Sequence, residues 1–175
     1  MSTSSRADLT RRICFDAVFT ASAMMLSYLE VLIPFGLILP LPGFKPGFAN
    51  LVTVLVFVLV SKQDAAIVSA LRILLMGMIF GSAVSLFFSA LGGLFSYLVL
   101  LLAGRICRRC SYLGVSVLCA AAHNLGQLIA AVCLFGSEIL LSYLPVLLLA
   151  AVLCGSLTGV ALNLSVPRLQ RSFRL

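Results

Sequence analysis

Ala120-Ala121-Ala122-His123-Asn124-Leu125-Gly126-Gln127-Leu128 lies at the middle of an otherwise apolar run from Leu113 to Phe135. That run has the length of about 20 residues that a helix needs to cross a bilayer core. His123 and Gln127 stand at i, i+4 and Asn124 and Gln127 at i, i+3, so one helical surface can present all three. In lipid each such group costs free energy unless it meets a partner or a wet cavity. The turn reads as the floor of a pocket.

Composition bears out the membrane setting. The chain of 175 residues is 62% hydrophobic and only 10% charged, with a mean hydropathy of +1.21, against about 45–50% apolar residues in soluble domains. The net charge of +7 is carried by basic residues set between apolar segments, which points to topology and anionic lipid headgroups and away from nucleic acid.

Working outward, the expected organisation is a polar tail over 1–12, a six-helix transmembrane domain over 13–166 and a basic tail over 167–175. Ala21-Ser22-Ala23 resembles a signal cleavage site. Asp16 interrupts the short apolar part before it and the run continues past it to Ile33, so an uncleaved first helix is the better reading. Pro34, Pro40, Pro42 and Pro46 with Gly36, Gly43 and Gly47 make a structured loop. Further helices are expected over Phe48 to Val60, Ala65 to Phe80, Ala83 to Ala103, Leu113 to Phe135 and Tyr143 to Val166. With a cytoplasmic N-terminus, Arg6, Arg11, Arg12, Lys62, Arg105, Arg108, Arg109, Arg168, Arg171 and Arg174 all fall inside, leaving Lys45 outside and Arg72 within the membrane. The positive-inside rule thus holds at every loop, with both termini cytoplasmic.

This topology gathers Glu30, Asn50, Arg72, His123, Asn124 and Gln127 at or beyond the midplane on the outer side, under the proline-glycine loop. Intramembrane His, Asn and Gln also serve simply to bridge helices, at about 0.6 kcal/mol on average; their clustering favours a site. A central Arg costs about 2.5–3.5 kcal/mol even on the lenient insertion scale, so Arg72 must pair with Glu30 or attract an anionic ligand group. Small residues four apart, Ala17 and Ala21, Gly77 and Gly81, Gly155 and Gly159, and Ala122, Gly126 and Ala130, offer close helix packing. Cys14, Cys119, Cys133 and Cys154 read as small core hydrophobes, and Cys107-x-x-Cys110 as reduced thiols lacking further zinc ligands.

Absences narrow the chemistry. Asp8, Asp16, Glu30, Asp64 and Glu138 are the acidic residues, and no two are close enough in sequence to form the local pair that holds magnesium in diphosphate chemistry. There is no GxxxxGK[ST] for ATP hydrolysis and no Ser-His-Asp arrangement. The chain is expected to be no enzyme on its own and to need no cofactor or metal.

Tyr28-Leu29-Glu30 with Ile33-Pro34, Pro42-Gly43-Phe44-Lys45-Pro46-Gly47-Phe48-Ala49-Asn50, Ala70-Leu71-Arg72, Phe80-Gly81-Ser82, Leu91-Gly92-Gly93, Gly114-Val115-Ser116 and His123-Asn124-Leu125-Gly126-Gln127 resemble the Gx transporter family, also labelled heptaprenyl diphosphate synthase component I. Pro46 departs from the family's PGxKLGxAN pattern, where a Leu is expected. The resemblance extends to substrate-binding S components of energy-coupling factor (ECF) transporters. It implies an all-α bundle of six transmembrane helices in a bacterial cytoplasmic membrane, with an outward pocket lined by Glu30, Lys45, Asn50, Arg72, His123, Asn124 and Gln127. It further implies that Ala17 and Ala21 dock a transmembrane coupling subunit driven by two ATPases. Two functions follow: capture of a small anionic or polar vitamin-like molecule for uptake, or a non-catalytic membrane partner of a soluble prenyl diphosphate synthase in quinone side-chain synthesis. A purely structural membrane partner would need no polar cluster.

Overall fold

The computed structural model describes residues 3–32, 47–106 and 111–172, and side chains over 9–30, 32, 47–106 and 111–171. Among these residues the chain is helical, without strands: α1 (Thr3–Leu32), α2 (Asn50–Leu59), α3 (Lys62–Ile79), α4 (Ala83–Ile106), α5 (Tyr112–Phe135), a 3-10 segment (Glu138–Tyr143) and α6 (Leu144–Ser172). Leu9–Glu30, Ala83–Ile106, Tyr112–Phe135 and Glu138–Arg171 are long and apolar enough to cross a membrane. α2 has 10 residues and rises about 15 Å, half of a hydrocarbon core about 30 Å thick.

Several boundaries differ from the sequence reading. α1 starts at Thr3, so the polar segment 3–12 continues the first helix; it contains no proline or glycine to stop it. α6 runs through Pro167 to Ser172, past the expected end at Val166, although Pro167 has no N–H for the carbonyl one turn earlier. Phe48 and Ala49 form a turn into α2, in which the N–H groups of Asn50, Leu51 and Val52 donate to the carbonyls of Gly47, Phe48 and Ala49 at 3.0, 3.0 and 3.2 Å. The proline-glycine loop over 33–46 and the Cys107-x-x-Cys110 motif lie outside the described residues.

Local chemistry sets the helix ends. Ser61 caps α3 by accepting from the Asp64 N–H at 3.2 Å, while its hydroxyl donates to the Asp64 carboxylate at 2.6 Å, a variant of the capping box. Ser111 caps α5 in the same way, through the Gly114 N–H, and Gly136 closes α5 in the left-handed conformation, φ 61°, where glycine carries no Cβ penalty.

The helices form two groups. α5 packs most extensively against α4 and α6, α3 packs against α1 and α2, and the halves are joined where α3 meets α4 and α2 meets α6. Val54, Leu55, Leu100, Cys119, Leu162 and Val166 make one core cluster; Ala23, Val52, Val56, Ala65 and Val68 make the other. Small residues permit close seams: an added Cβ on Gly155 or Gly159 would come within 2.6 Å of the backbone of Val117 or Leu113 on α5, and one on Gly126 within 2.6 Å of the Leu91 carbonyl on α4.

At one end of the bundle, Arg12 Nη2 donates to both carboxylate oxygens of Asp64 at 2.9 Å, tying α1 to α3. Burial pushes the Asp64 carboxyl up, but its bonds from Ser61 and Arg12 and the arginine charge outweigh this and hold it below the usual range. Alternation of the helices brings Lys62, Arg105, Arg168 and Arg171 to this same end, hereafter the basic end.

Candidate functional site

Eighteen residues of α1 separate Arg12 from Glu30, a rise of about 27 Å, so Glu30 lies near the opposite end of the bundle. Glu30 is 4% exposed and accepts from the backbone N–H of Ala49 at 3.3 Å, pinning the entry to α2. One turn back along α1, Ser27 accepts from Arg72 Nη1 at 3.2 Å. Asn50 Oδ1, at the start of α2, lies 3.5 Å from Arg72 Nη2.

Arg72 is 5% exposed, and the Glu30 carboxylate acts on it electrostatically. Arg72 Nε and Asn50 Nδ2 are buried donors with no hydrogen-bond partner among the described residues. An arginine cannot shed its charge, so a buried one is stabilised by anionic charge close by. Here one carboxylate is near, and donor capacity is left over.

The second half of the site comes from α5. His123 Nε2 and Gln127 Nε2 are 3.1 Å apart across one helical turn. With the amide nitrogen toward the ring, Nε2 is the acceptor, and a neutral imidazole carries its proton on Nδ1. Two glycines hold the ring. An added Cβ on Gly92 of α4 would lie 2.7 Å from His123 Cε1 and 2.8 Å from Nδ1. At the ring's other carbon–nitrogen edge, a Cβ on Gly47 would lie 3.1 Å from both His123 Cδ2 and Asn50 Nδ2, and its φ of 79° already favours glycine. Gly47 is therefore the point at which the Arg72 group and the His123 group meet.

The structure thus brings Glu30, Asn50, Arg72, His123 and Gln127 together around the start of α2. Asn124 departs from the reading that placed it on the same surface: its Nδ2 donates to the Leu147 carbonyl of α6 at 2.8 Å, the helix-bridging use of a membrane amide. Lys45 lies outside the described residues. Ala17 and Ala21 are exposed on the outer face of α1, not packed within the bundle. Sequence reasoning passed over Ser27, Gly47 and Gly92 as site residues; Ser27 was findable, since it stands at i−3 from Glu30 on the same helical face. Beside Asn50, a cavity of about 10 Å³ lined by Gly47, Ser116, Cys119, Cys154 and Thr158 among others has room for about one water.

The family model described as heptaprenyl diphosphate synthase component I matches residues 19–164. The chain belongs to this family. The matched span encloses the whole site from Ser27 to Gln127 and leaves Arg11, Arg12 and Arg168 outside it. No curated protein and no solved structure matches the chain.

Proposed function

We propose that this protein is a non-catalytic membrane subunit that binds a small anionic or polar ligand at Arg72 and hands it to partner proteins. The observation that carries this reading is that two buried donors, Arg72 Nε and Asn50 Nδ2, find no acceptor among the described residues, one of them on a permanently charged guanidinium. Buried donors are costly unless something accepts from them, and a carboxylate or phosphate group does so best. Entry of a ligand requires Gly47 and His123 to separate.

Family membership supports a soluble prenyl diphosphate synthase as the partner, with this chain as its membrane component in quinone side-chain synthesis. On that reading the catalytic acids belong to the other subunit. A second reading, the substrate-capture subunit of an ECF-type uptake transporter, is favoured by a different observation: the charged site is remote from the basic end, as suits capture from outside if that end is cytoplasmic. The exposed Ala17 and Ala21 would then face the coupling subunit.

The test is affinity purification of the tagged chain from its own cells, followed by mass spectrometry of bound proteins and extracted small molecules. An aspartate-rich synthase subunit selects the first reading; a transmembrane subunit with two ATPases selects the second. In both, an anionic small molecule is retained by the parent and lost from a monodisperse Arg72→Ala variant. Equal retention by Arg72→Ala removes the ligand site.

A further inference from the structure

A second cavity, of about 320 Å³, opens at the basic end between α1 and the junction of α2 and α3, remote from Arg72. Its size falls in the range of about 300–1,000 Å³ typical of small-molecule sites. The lining is of two kinds: the charged Arg11, Arg12 and Asp64, and the apolar Phe15, Phe19, Leu59 and Val60. From this cavity we infer a binding site for a phosphate-headed amphiphile, its head on the arginines and its hydrocarbon chain along the phenylalanines.

The charge and donor count fit an anionic head. Among the described residues Arg12 reaches both oxygens of Asp64 through Nη2, which leaves its Nη1 and Nε for a second anion. Arg11 stacks over the Phe15 ring at 5.7 Å, which orients a guanidinium without using its hydrogen-bond donors. Among the described residues around the cavity, Arg11, Arg12 and the adjacent Lys62 outnumber Asp16 and Asp64, and the Asp64 carboxylate is already occupied by Arg12 and Ser61. Phe15 and Phe19, at i, i+4, lie on one face of α1 and continue the cavity toward the middle of the bundle. A basic pocket between helices at a bilayer surface suits a lipid phosphate, and an allylic diphosphate offers the same combination of head and tail. The inference rests on the cavity and on neither reading of the Arg72 site.

The chain contains no tryptophan, so Phe19→Trp introduces a single fluorescent reporter, with Leu59→Trp as a second if the first does not fold. In vesicles, brominated phosphatidylglycerol is expected to quench either reporter more than brominated phosphatidylcholine. Arg11→Gln should weaken the preference about five-fold, the share of one basic residue at a charged bilayer surface, and Arg12→Gln should weaken it further. Farnesyl diphosphate that restores fluorescence identifies an isoprenoid diphosphate as able to take the site; failure to restore it assigns the site to phospholipid, and both outcomes support the proposal. Equal quenching by the two lipids, or a preference that survives both substitutions, overturns it, as does inorganic diphosphate restoring fluorescence as well as farnesyl diphosphate.

Discussion

His123 is held less by its hydrogen bond than by the absence of two methyl groups. Gly92 and Gly47 bring backbone close to different atoms of the imidazole, Cε1 and Nδ1 for the first and Cδ2 and Nε2 for the second, which confines the ring at the meeting point of α2, α4 and α5. His123 is 3% exposed, so the ring has little space to give. Gly92→Ala is therefore expected to turn the ring, to cost about 1–3 kcal/mol of stability, as overpacking of a filled core does, and to lose the retained small molecule. Thermal unfolding in detergent and mass spectrometry of the extracted ligand check both effects; an unchanged midpoint with unchanged retention would show that the glycine contact does not set the site. The residue types were legible from the sequence, because Arg, His and Gln have no cheap place in an apolar run. Their partners were less so: Ser27 could be found from its place beside Glu30 on α1, but Gly92 acquires meaning only from a neighbouring helix.

Among the helices, the pattern of glycines separates the seams that matter from those that do not. On the α5–α6 seam a Cβ at Gly155 or Gly159 meets backbone at 2.6 Å, whereas at Gly77 it meets the terminal methyl of Leu86 at 2.4 Å. Backbone can yield only if the helices part, but the half-buried Leu86 can change rotamer. Gly155→Ala and Gly159→Ala should each fall toward the upper part of about 1–3 kcal/mol. Gly77→Ala should cost nothing, since alanine gains about 1 kcal/mol in helix propensity. Ranking the three by thermal unfolding tests this, and equal midpoints would remove the distinction. All three glycine positions share the same small-xxx-small signature, so the sequence could not rank them. Helix number and order were readable from apolar runs and their breaks. The ends were not: α1 continues back to Thr3 through a polar segment that hydrophobicity alone does not mark as helical, and α6 continues through Pro167, a residue that normally ends a helix.

At the scale of the whole molecule, charge is sorted along the bundle axis. Arg11, Arg12, Lys62, Arg105, Arg168 and Arg171 share one end with the Arg12–Asp64 tie, while the Arg72 group sits toward the other, where Glu138 opens the 3-10 segment. The positive-inside rule leads us to propose a cytoplasmic basic end, an orientation that would decide from which side each cavity can be reached. Gln63 and Glu138 are exposed at opposite ends, and neither contributes to the cavities. In a background with the 6 native cysteines replaced, Glu138→Cys should react with a membrane-impermeant maleimide on intact cells, and Gln63→Cys only after permeabilisation. The reverse pattern would place the Arg72 site on the cytoplasmic side, in reach of a soluble synthase and out of reach of an external substrate. Labelling of both positions on intact cells would contradict a fixed orientation altogether. Because the two readings of the Arg72 site differ in the side from which its ligand comes, the labelling pattern also weighs between them before any ligand is known.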